Sequence, residues 1–270
     1  MTGLSRSSFY YTAKEKNPEK IKADCDLRDQ IERIVLEFAG YGYRRVTKQL
    51  HREGVIANHK RVHRIMRESS LLVVYKRKWI KTTDSNHSFR IYPNLARYMI
   101  LVALNQLWIS DITYIRILYG FVYLAVILDA FSRKVIGYNI SLYIDAELAL
   151  GALNMAIERR KPGAGVVHHS DRGVQYACDE YVSVLKDKKF IISMSNKGNP
   201  YDNAKAESFM KTLKVEEVYM WDYKTIEDVL KSIPFFIEEV YNQKRLHSSI
   251  GYVPPVEFES KLQERAASLF

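Results

Sequence analysis

The chain has 270 residues, 47% of them apolar, so it can bury one large hydrophobic core or two smaller ones and is not a disordered polypeptide. Its formal net charge of +10 predicts a polyanionic partner, either nucleic acid or an anionic membrane surface. The basic excess lies in residues 1–105 and is densest in 43–81, whereas residues 106–270 are near neutral. We therefore expect a basic binding module joined to a working domain.

The sequence does not favour a membrane or secreted protein. Its longest uncharged runs, 98–110 and 117–128, are shorter than the roughly 18 residues that a membrane helix needs. The N-terminus is polar and basic, which is unlike a signal peptide. The two cysteines, Cys25 and Cys178, form no disulfide framework. We expect a cytoplasmic protein.

Residues 27–69 have the periodicity of helices, with apolar residues from Leu27 to Phe38 on one face. Glycines at 40 and 42 interrupt this face, and Asn58 is a good cap for the helix that follows. Short helices, a turn and a basic last helix are typical of a helix-turn-helix. We predict a basic, helical, DNA-binding module over 1–81, with the helix-turn-helix at about 43–69, and a linker over 82–104.

The last helix carries Lys60, Arg64 and Arg67 on one face, and cations interleaved with aromatics continue over 75–81. A solvated helical bundle is the alternative interpretation. His51, His59 and His63 have no cysteine at zinc-ligand spacing, so we interpret them as surface or groove histidines. The predicted DNA contacts of this module are Arg44, Arg45, Lys60, Arg61, Arg64, Arg67, Lys76, Arg77 and Lys78.

From residue 106 the pattern changes to strands, predicted over 107–115, 121–128 and 134–140. A helix over 145–159, a strand over 165–170, a helix over 174–187 and a strand over 190–194 follow. Three strands and then alternating helices and strands indicate a mixed α/β sheet. We assign this catalytic core to 105–256 and a C-terminal tail to 257–270.

Three carboxylates occupy positions where this core would bring them together. Asp111 lies inside the first strand, Asp171 ends the fourth, and Glu207 begins a helix after a loop rich in Gly, Asn and Pro. An oxygen-rich site suits Mg²⁺ or Mn²⁺, and two such ions serve phosphodiester displacement well. Lys211 and Lys214 follow Glu207 on the same helical face, where they can bind phosphates.

Four segments resemble the motifs of DDE transposases and retroviral-type integrases. They are WISDITY at 108–114, HSDRGVQY at 169–176, NAKAESF at 203–209 and YNQKRLHSSIGY at 241–252. The 35 residues between Asp171 and Glu207 match the spacing of that superfamily. The closest group is the insertion sequence three family in its OrfB-type reading frame, which GYRR at 42–45 and HKRV at 59–62 resemble as well. The resemblance covers nearly the whole chain; Ser110, Asn196 and Leu246 depart from it.

The resemblance implies an RNase H-like core with Asp111, Asp171 and Glu207 as catalytic residues and metal ligands. It implies cleavage at the 3′ ends of a mobile element and strand transfer by the freed 3′-hydroxyl, by way of a circular intermediate. It implies double-stranded DNA as partner, both terminal inverted repeats and target, and a prokaryotic, nucleoid-associated location. The matching positions add five DNA contacts in the core: Asn203, Lys211, Lys214, Arg245 and His247. Arg245 and His247 could instead brace the core.

Two ends must meet, so a homodimer or larger assembly is expected, and the product of an upstream reading frame is a further expected partner or fusion. Two other functions stay open: a structure-specific nuclease of the same fold, and a non-catalytic DNA-binding regulator derived from a transposase. Asp129 is interpreted as a turn or helix-cap residue paired with Arg133, with a fourth acid of the site as the alternative, and Trp108 as a core anchor. His169 is either a phosphate contact or a satisfied strand histidine.

Overall fold

The computed structural model describes residues 17–73, 89–196 and 203–268. The chain divides into two compact units, an N-terminal unit of Met1–Val74 and a C-terminal unit of Tyr75–Phe270. Within the described residues no helix is long and apolar enough to cross a membrane.

The N-terminal unit contains three helices: α1 (Pro18–Glu37), α2 (Tyr43–Arg52) and α3 (His59–Glu68). The helix α1 begins well before residue 27, because the Asn17 side chain caps it and Pro18 takes the first position, where its missing N–H costs nothing. The predicted cap of α3 is confirmed, since the Asn58 side chain accepts a hydrogen bond from the Lys60 amide at 2.8 Å. The helices bury a shared apolar core: Leu27, Ile31, Ile34, Val46, Leu50, Val62, Ile65 and Met66.

The C-terminal unit is built on a five-stranded sheet in the order β3-β2-β1-β4-β5. Its strands are β1 (Leu107–Ile117), β2 (Gly120–Asp129), β3 (Val135–Ser141), β4 (Val167–Ser170) and β5 (Ile191–Met194). The first three strands form an antiparallel meander, while β4 and β5 run parallel to β1. The predicted mixed sheet is therefore confirmed.

Helices cover both faces of this sheet. One face packs against α4 (Ala146–Arg160), α5 (Val174–Ala177) and α6 (Asp179–Asp187). The helix predicted over 174–187 is thus divided in two, with an extended backbone at Cys178. Close packing of α4 needs a glycine on β3, because a Cβ at Gly137 would stand 2.2 Å from the carbonyl oxygen of Ala152.

The other face packs against α7 (Ala204–Leu213) and α8 (Ile226–Phe235). Each of these helices continues into a π-helical segment, Lys214–Val218 after α7 and Phe236–Asn242 after α8. Alternate residues of β1 enter the two cores, with Ile109 and Ile115 on the α7 side and Trp108 on the α4 side. Trp108 is fully buried, as its interpretation as a core anchor requires.

Two segments outside the predicted core pack against it. The predicted linker 82–104 is described from residue 89, and Tyr92, Met99 and Leu101 rest on the two cores of the unit. The predicted tail 257–270 is mostly helical, since α9 spans Pro255–Ala267. Its Glu259 is buried and pairs with Lys134 at 3.3 Å and with Arg160. The sequence did not predict this helix, because its buried residues are Pro255 and Glu259 and leave no apolar periodicity to detect.

Candidate active site

The register of the sheet brings Asp111 and Asp171 to the same level. The parallel strands β1 and β4 pair up to Ile109 with His169, and each aspartate lies two residues beyond that pair. Neighbouring strands lie about 5 Å apart, so the two carboxylates begin from adjacent positions on the sheet. Asp111 is half-buried and follows the alternation of Ile109, so it projects toward the face covered by α7.

Asp171 is held at the end of β4 by the turn that follows it. Its Oδ1 accepts a hydrogen bond from the Gly173 amide at 2.9 Å. Gly173 has little room for a side chain, since a Cβ there would stand 3.0 Å from that same oxygen and 3.0 Å from Oε1 of Gln175. The glycine in this motif therefore permits the conformation in which the carboxylate is held.

Glu207 lies in the first turn of α7, as predicted, and its side chain is exposed. The helix is anchored to the sheet through its buried side chains Ala206, Phe209, Met210 and Leu213. Seven residues after Glu207, the Lys214 ammonium lies 4.6 Å from the ring centroid of Tyr114 on β1. Helix α7 therefore lies across the strand that carries Asp111.

The charges of Asp171 and Glu207 both act on Asp111, and we call these three acids the carboxylate triad. Burial, followed by the negative charges of Asp171 and then Glu207, raises the pKa of Asp111 to about 8, while the Ile112 amide and the Lys214 ammonium oppose the rise. Partial desolvation also raises the pKa of Glu207. Burial lowers the pKa of Lys214, while the negative charge of Asp111 raises it.

The triad has the chemistry of a hard-cation site. Its donors are all carboxylate oxygens, which Mg²⁺ and Mn²⁺ prefer, and a cation among them would relieve the repulsion between Asp111 and Asp171. Within the described ranges, no three His, Cys, Asp or Glu side chains stand close enough together to hold a metal ion. The donor type and the charge of the triad fit a divalent ion, although its three side chains are not gathered around one point; Glu207 is the member with an exposed side chain.

The predicted DNA contacts of the core fall into two groups. Lys211 is exposed, Lys214 is half-buried beside Asp111, and Asn203 is buried immediately before α7. Arg245 and His247 are different, because both are buried, at 3% and 7% exposure.

Arg245 donates two hydrogen bonds of 2.7 Å to Glu216, and the His247 ring packs edge-on against Tyr241 at 4.6 Å. Of the two roles predicted for these residues, contact with DNA or bracing of the core, their burial favours bracing. Arg245 ties the chain after the second π-helical segment to the first one, and a buried guanidinium that already has a carboxylate partner does not present its donors to a phosphate.

Sequence reasoning missed two side chains that tie segments of the C-terminal unit together. Both oxygen and nitrogen of the Asn242 amide bond the backbone of Val135, at 3.0 Å each, which ties the end of the second π-helical segment to β3. Arg172, the neighbour of Asp171, donates to the carbonyl of Ser195 at 2.8 Å and so joins the ends of β4 and β5. Both residues lie in segments that resemble the family's motifs, and this was the sequence signal that could have identified them.

Hydrogen bonds bear on the interpretation of two further residues, Asp129 and His169. Asp129 is a turn residue, since its buried carboxylate accepts from the amides of Asn105, Phe131 and Ser132. In the described part of the chain no ion pair joins it to Arg133, so that half of the prediction was wrong. The His169 ring is buried in β4 with Nδ1 2.8 Å from the Ser193 hydroxyl, which favours the strand-histidine interpretation.

In the N-terminal unit, the residues predicted to contact DNA also differ in their exposure. Arg44, Lys60 and Arg67 are exposed, whereas the half-buried Arg45 lies 5.8 Å from the ring centroid of Tyr41. Lys76, Arg77 and Lys78 lie outside the described residues.

Arg61 and Arg64 are tied to α1, because Asp24 accepts from Arg61 at 2.7 Å and from Arg64 at 2.6 Å. The Arg64 side chain lowers the pKa of Asp24, mainly by this hydrogen bond. These two arginines therefore hold α3 against α1.

Comparison with known families agrees with the division of the chain into an N-terminal helical unit and a C-terminal unit built on a sheet. Residues 102–200 and 188–255 match two family models that are both described as integrase core domain, and residues 22–79 match a family described as HTH-like domain. Among solved structures, a simian T-cell lymphotropic virus intasome in complex with PP2A regulatory subunit B56 gamma is 15% identical, with a TM-score of 0.48 over 85% of this chain and 73% of that one. The catalytic core domain of BIV integrase is 21% identical, with a TM-score of 0.45 over 60% of this chain and 99% of that one.

The curated relatives are more similar in sequence. Transposase InsF for insertion sequence IS3A of Escherichia coli strain K12 is 38% identical over 264 residues, which cover 96% of this chain and 91% of the relative. The transposase for insertion sequence element IS904 of Lactococcus lactis is 36% identical over 90% of this chain and 98% of the relative. Together with the five-stranded sheet, these matches confirm an RNase H-like integrase core with an N-terminal helix-turn-helix module. The chain belongs to the insertion sequence three family of transposases.

Proposed function

We propose that this transposase uses Asp111, Asp171 and Glu207 to bind two Mg²⁺ or Mn²⁺ ions, and that it cleaves the 3′ ends of its element and transfers them to a new DNA site. The observation that supports the proposal is that Asp111 and Asp171 follow adjacent strands at the same level of the sheet, with α7, which carries Glu207, across the strand that carries Asp111. Burial, followed by the charges of Asp171 and then Glu207, raises the pKa of Asp111.

When bound, such a pair of ions activates a water or a 3′-hydroxyl and stabilises the leaving oxygen of an in-line displacement. The chain's own residues keep the geometry constant during both steps. The sheet fixes Asp111, the Gly173 amide orients Asp171, and the buried side of α7 sets the position of Glu207. Lys214 places a positive charge beside Asp111, where it can bind a DNA phosphate next to the reacting one.

We expect the exposed cations of the N-terminal unit to make the DNA contacts that position the element end, with Lys60 and Arg67 on α3 foremost. Arg61 and Arg64, already paired with Asp24, would orient that helix. Replacing Lys60 and Arg67 by glutamine should reduce the slope of log affinity against log salt by about 0.9 for each phosphate that the variant no longer neutralises. An unchanged slope would remove this face of α3 from the interface.

Transfer of both element ends requires that two active sites meet, so we propose a homodimer or larger assembly on DNA. The upstream reading-frame product would act as a fusion or partner. DNA as substrate would place the enzyme at the nucleoid of a prokaryotic cytoplasm.

The test is a strand-transfer assay with labelled element ends and Mg²⁺. Asp171→Asn and Glu207→Gln should each reduce transfer by about 10²-fold or more, because each removes charge needed only at the reacting centre, while DNA affinity stays near the parental value. Glu180→Gln is the matched control, since this exposed acid lies on α6 at the opposite face of the sheet. Parental transfer by either triad variant would contradict the assignment, and cleavage without joining would favour a nuclease.

A further inference from the structure

The hairpin of β1 and β2 presents aromatic side chains to solvent near its turn. Successive residues of a strand alternate between its two faces, so Tyr114 and Phe121 share a face with Trp108 and Ala125, whose side chains belong to the core under α4. Tyr114 and Phe121 lie nearer the turn, beyond the end of that core. Tyr114 is half-buried there, and Phe121 is 45% exposed.

The two rings, which we call the aromatic pair, contact each other edge to face. Their centroids are 5.3 Å apart, with an angle of 87° between the ring planes. This is a favoured geometry for two aromatic rings, so each ring holds the other in place. The exposed Phe121 ring is therefore a fixed, flat, apolar surface in contact with water, which suits a ligand that is itself flat.

Two cations border the aromatic pair. Arg116 is exposed and lies directly opposite Phe121 in the strand register, where the Cβ atoms of paired residues are about 5 Å apart. On the other side, the Lys214 ammonium lies 4.6 Å from the centroid of the Tyr114 ring. The core of an interface between protein copies is depleted of charged residues. An aromatic surface with flanking cations instead matches a single nucleic-acid strand, which has flat bases and a phosphate backbone.

The aromatic pair is also close to the carboxylate triad. Tyr114 follows Asp111 by three residues on β1, which is about 10 Å along the strand. Phosphates of one DNA strand are spaced by about 3.4 Å along a duplex, so this distance corresponds to a few nucleotides. Aromatic side chains stack on bases that are unpaired, because only then is the face of the base accessible.

We propose that Phe121 and Tyr114 form a stacking surface for an unpaired base of the DNA strand that enters the active site, with Arg116 and Lys214 binding the phosphates on either side of that base. The inference rests on the proposed function, which supplies DNA at the carboxylate triad. Stacking is tolerant of sequence, so this surface would bind a base without identifying it.

The experiment measures binding in the absence of chemistry, with the full chain in a chelator and without added metal. One probe is a duplex with a short single-stranded extension of thymine nucleotides, and the other is the same duplex with abasic residues in the extension. The phosphates are identical, so the ratio of the two affinities reports contacts with the bases. The parent should bind the thymine probe about 5- to 150-fold more tightly, the range expected for stacking of one base.

Three variants divide the surface into its parts. Phe121→Leu should bring the ratio close to one, because leucine is apolar but has no aromatic face, whereas Phe121→Trp should keep the ratio high. The matched control is Phe235→Leu, which replaces a 60% exposed phenyl ring on α8 at the other face of the sheet and should keep the parental ratio. Arg116→Gln should weaken the binding of both probes and reduce the slope of log affinity against log salt by about 0.7, and an unchanged slope would overturn its phosphate contact.

A ratio near one in the parent, or equal ratios in the parent and Phe121→Leu, would overturn the stacking surface. A change of oligomeric state in Phe121→Leu with an unaltered ratio would also overturn it, since that result would assign this face to a contact between copies. Asp171→Asn should keep the parental ratio. Failure of the proposed chemistry is read from strand transfer and failure of the stacking surface from this ratio, so the two are distinguishable.

Discussion

Replacing Arg245 by methionine is expected to lower the free energy of unfolding of the C-terminal unit by about 3–5 kcal/mol. The guanidinium and its partner Glu216 are 3% and 7% exposed and are joined by two hydrogen bonds of 2.7 Å. Methionine fills much of the same volume but leaves the carboxylate buried without a partner. For a unit of this size each kcal/mol shifts the unfolding midpoint by about 2–4 °C, so a decrease of about 6–20 °C is expected.

The assay combines thermal and urea unfolding with DNA binding at a temperature where the variant is folded. Because Arg245 is buried in an internal pair, the salt dependence of DNA binding should stay parental. The double variant Glu216→Leu/Arg245→Met should recover more than half of the stability that the single variant loses, since an apolar pair replaces the ion pair without leaving a charge behind. If Arg245→Met unfolded like the parent and instead bound DNA more weakly, Arg245 would be a DNA contact and its assignment as a structural brace would be wrong.

Two further predictions concern the carboxylate triad. Gly173→Ala should reduce strand transfer by about 10²-fold with little change in DNA affinity, because the added Cβ displaces the Asp171 carboxylate. The control is Gly163→Ala, where a Cβ meets nothing within 4 Å and strand transfer should be normal. Equal transfer rates of the two variants would contradict a positioning role for Gly173. Since the pKa of Asp111 is raised from 3.8 to about 8, the stability of the metal-free protein should fall as pH rises across that interval, and the increase in unfolding midpoint produced by Mg²⁺ should grow over the same interval. Equal Mg²⁺ increments at pH 5.5 and pH 8.5, or an unchanged increment in Asp111→Asn, would contradict this linkage.

Much of the fold was predictable because its signals are local. The strands β1 to β5 and the helices α2, α3 and α4 begin and end within a few residues of their predicted bounds, since apolar periodicity and capping residues act over a few neighbouring positions. The carboxylate triad was predictable for a related reason: its members lie in short motifs whose order and spacing reflect one sheet topology.

The sequence could not decide the role of a side chain whose partner is distant along the chain. Arg245 and His247 have the composition of DNA contacts, but Glu216 and Tyr241 bury them. Arg64 belongs to a basic stripe in sequence, and Asp24, forty positions earlier, neutralises it. Whether a cation contacts solvent, DNA or a carboxylate depends on which helix faces it.

Sequence alone therefore determined the class of protein and predicted its three acids, because strand order, motif spacing and residue chemistry are properties of the chain itself. Tertiary structure alone decided which charges remain available. It paired Arg245 with Glu216, and Arg61 and Arg64 with Asp24. The physical reason is that the energy of a charge depends on its burial and its nearest opposite charge, and packing between distant segments sets both.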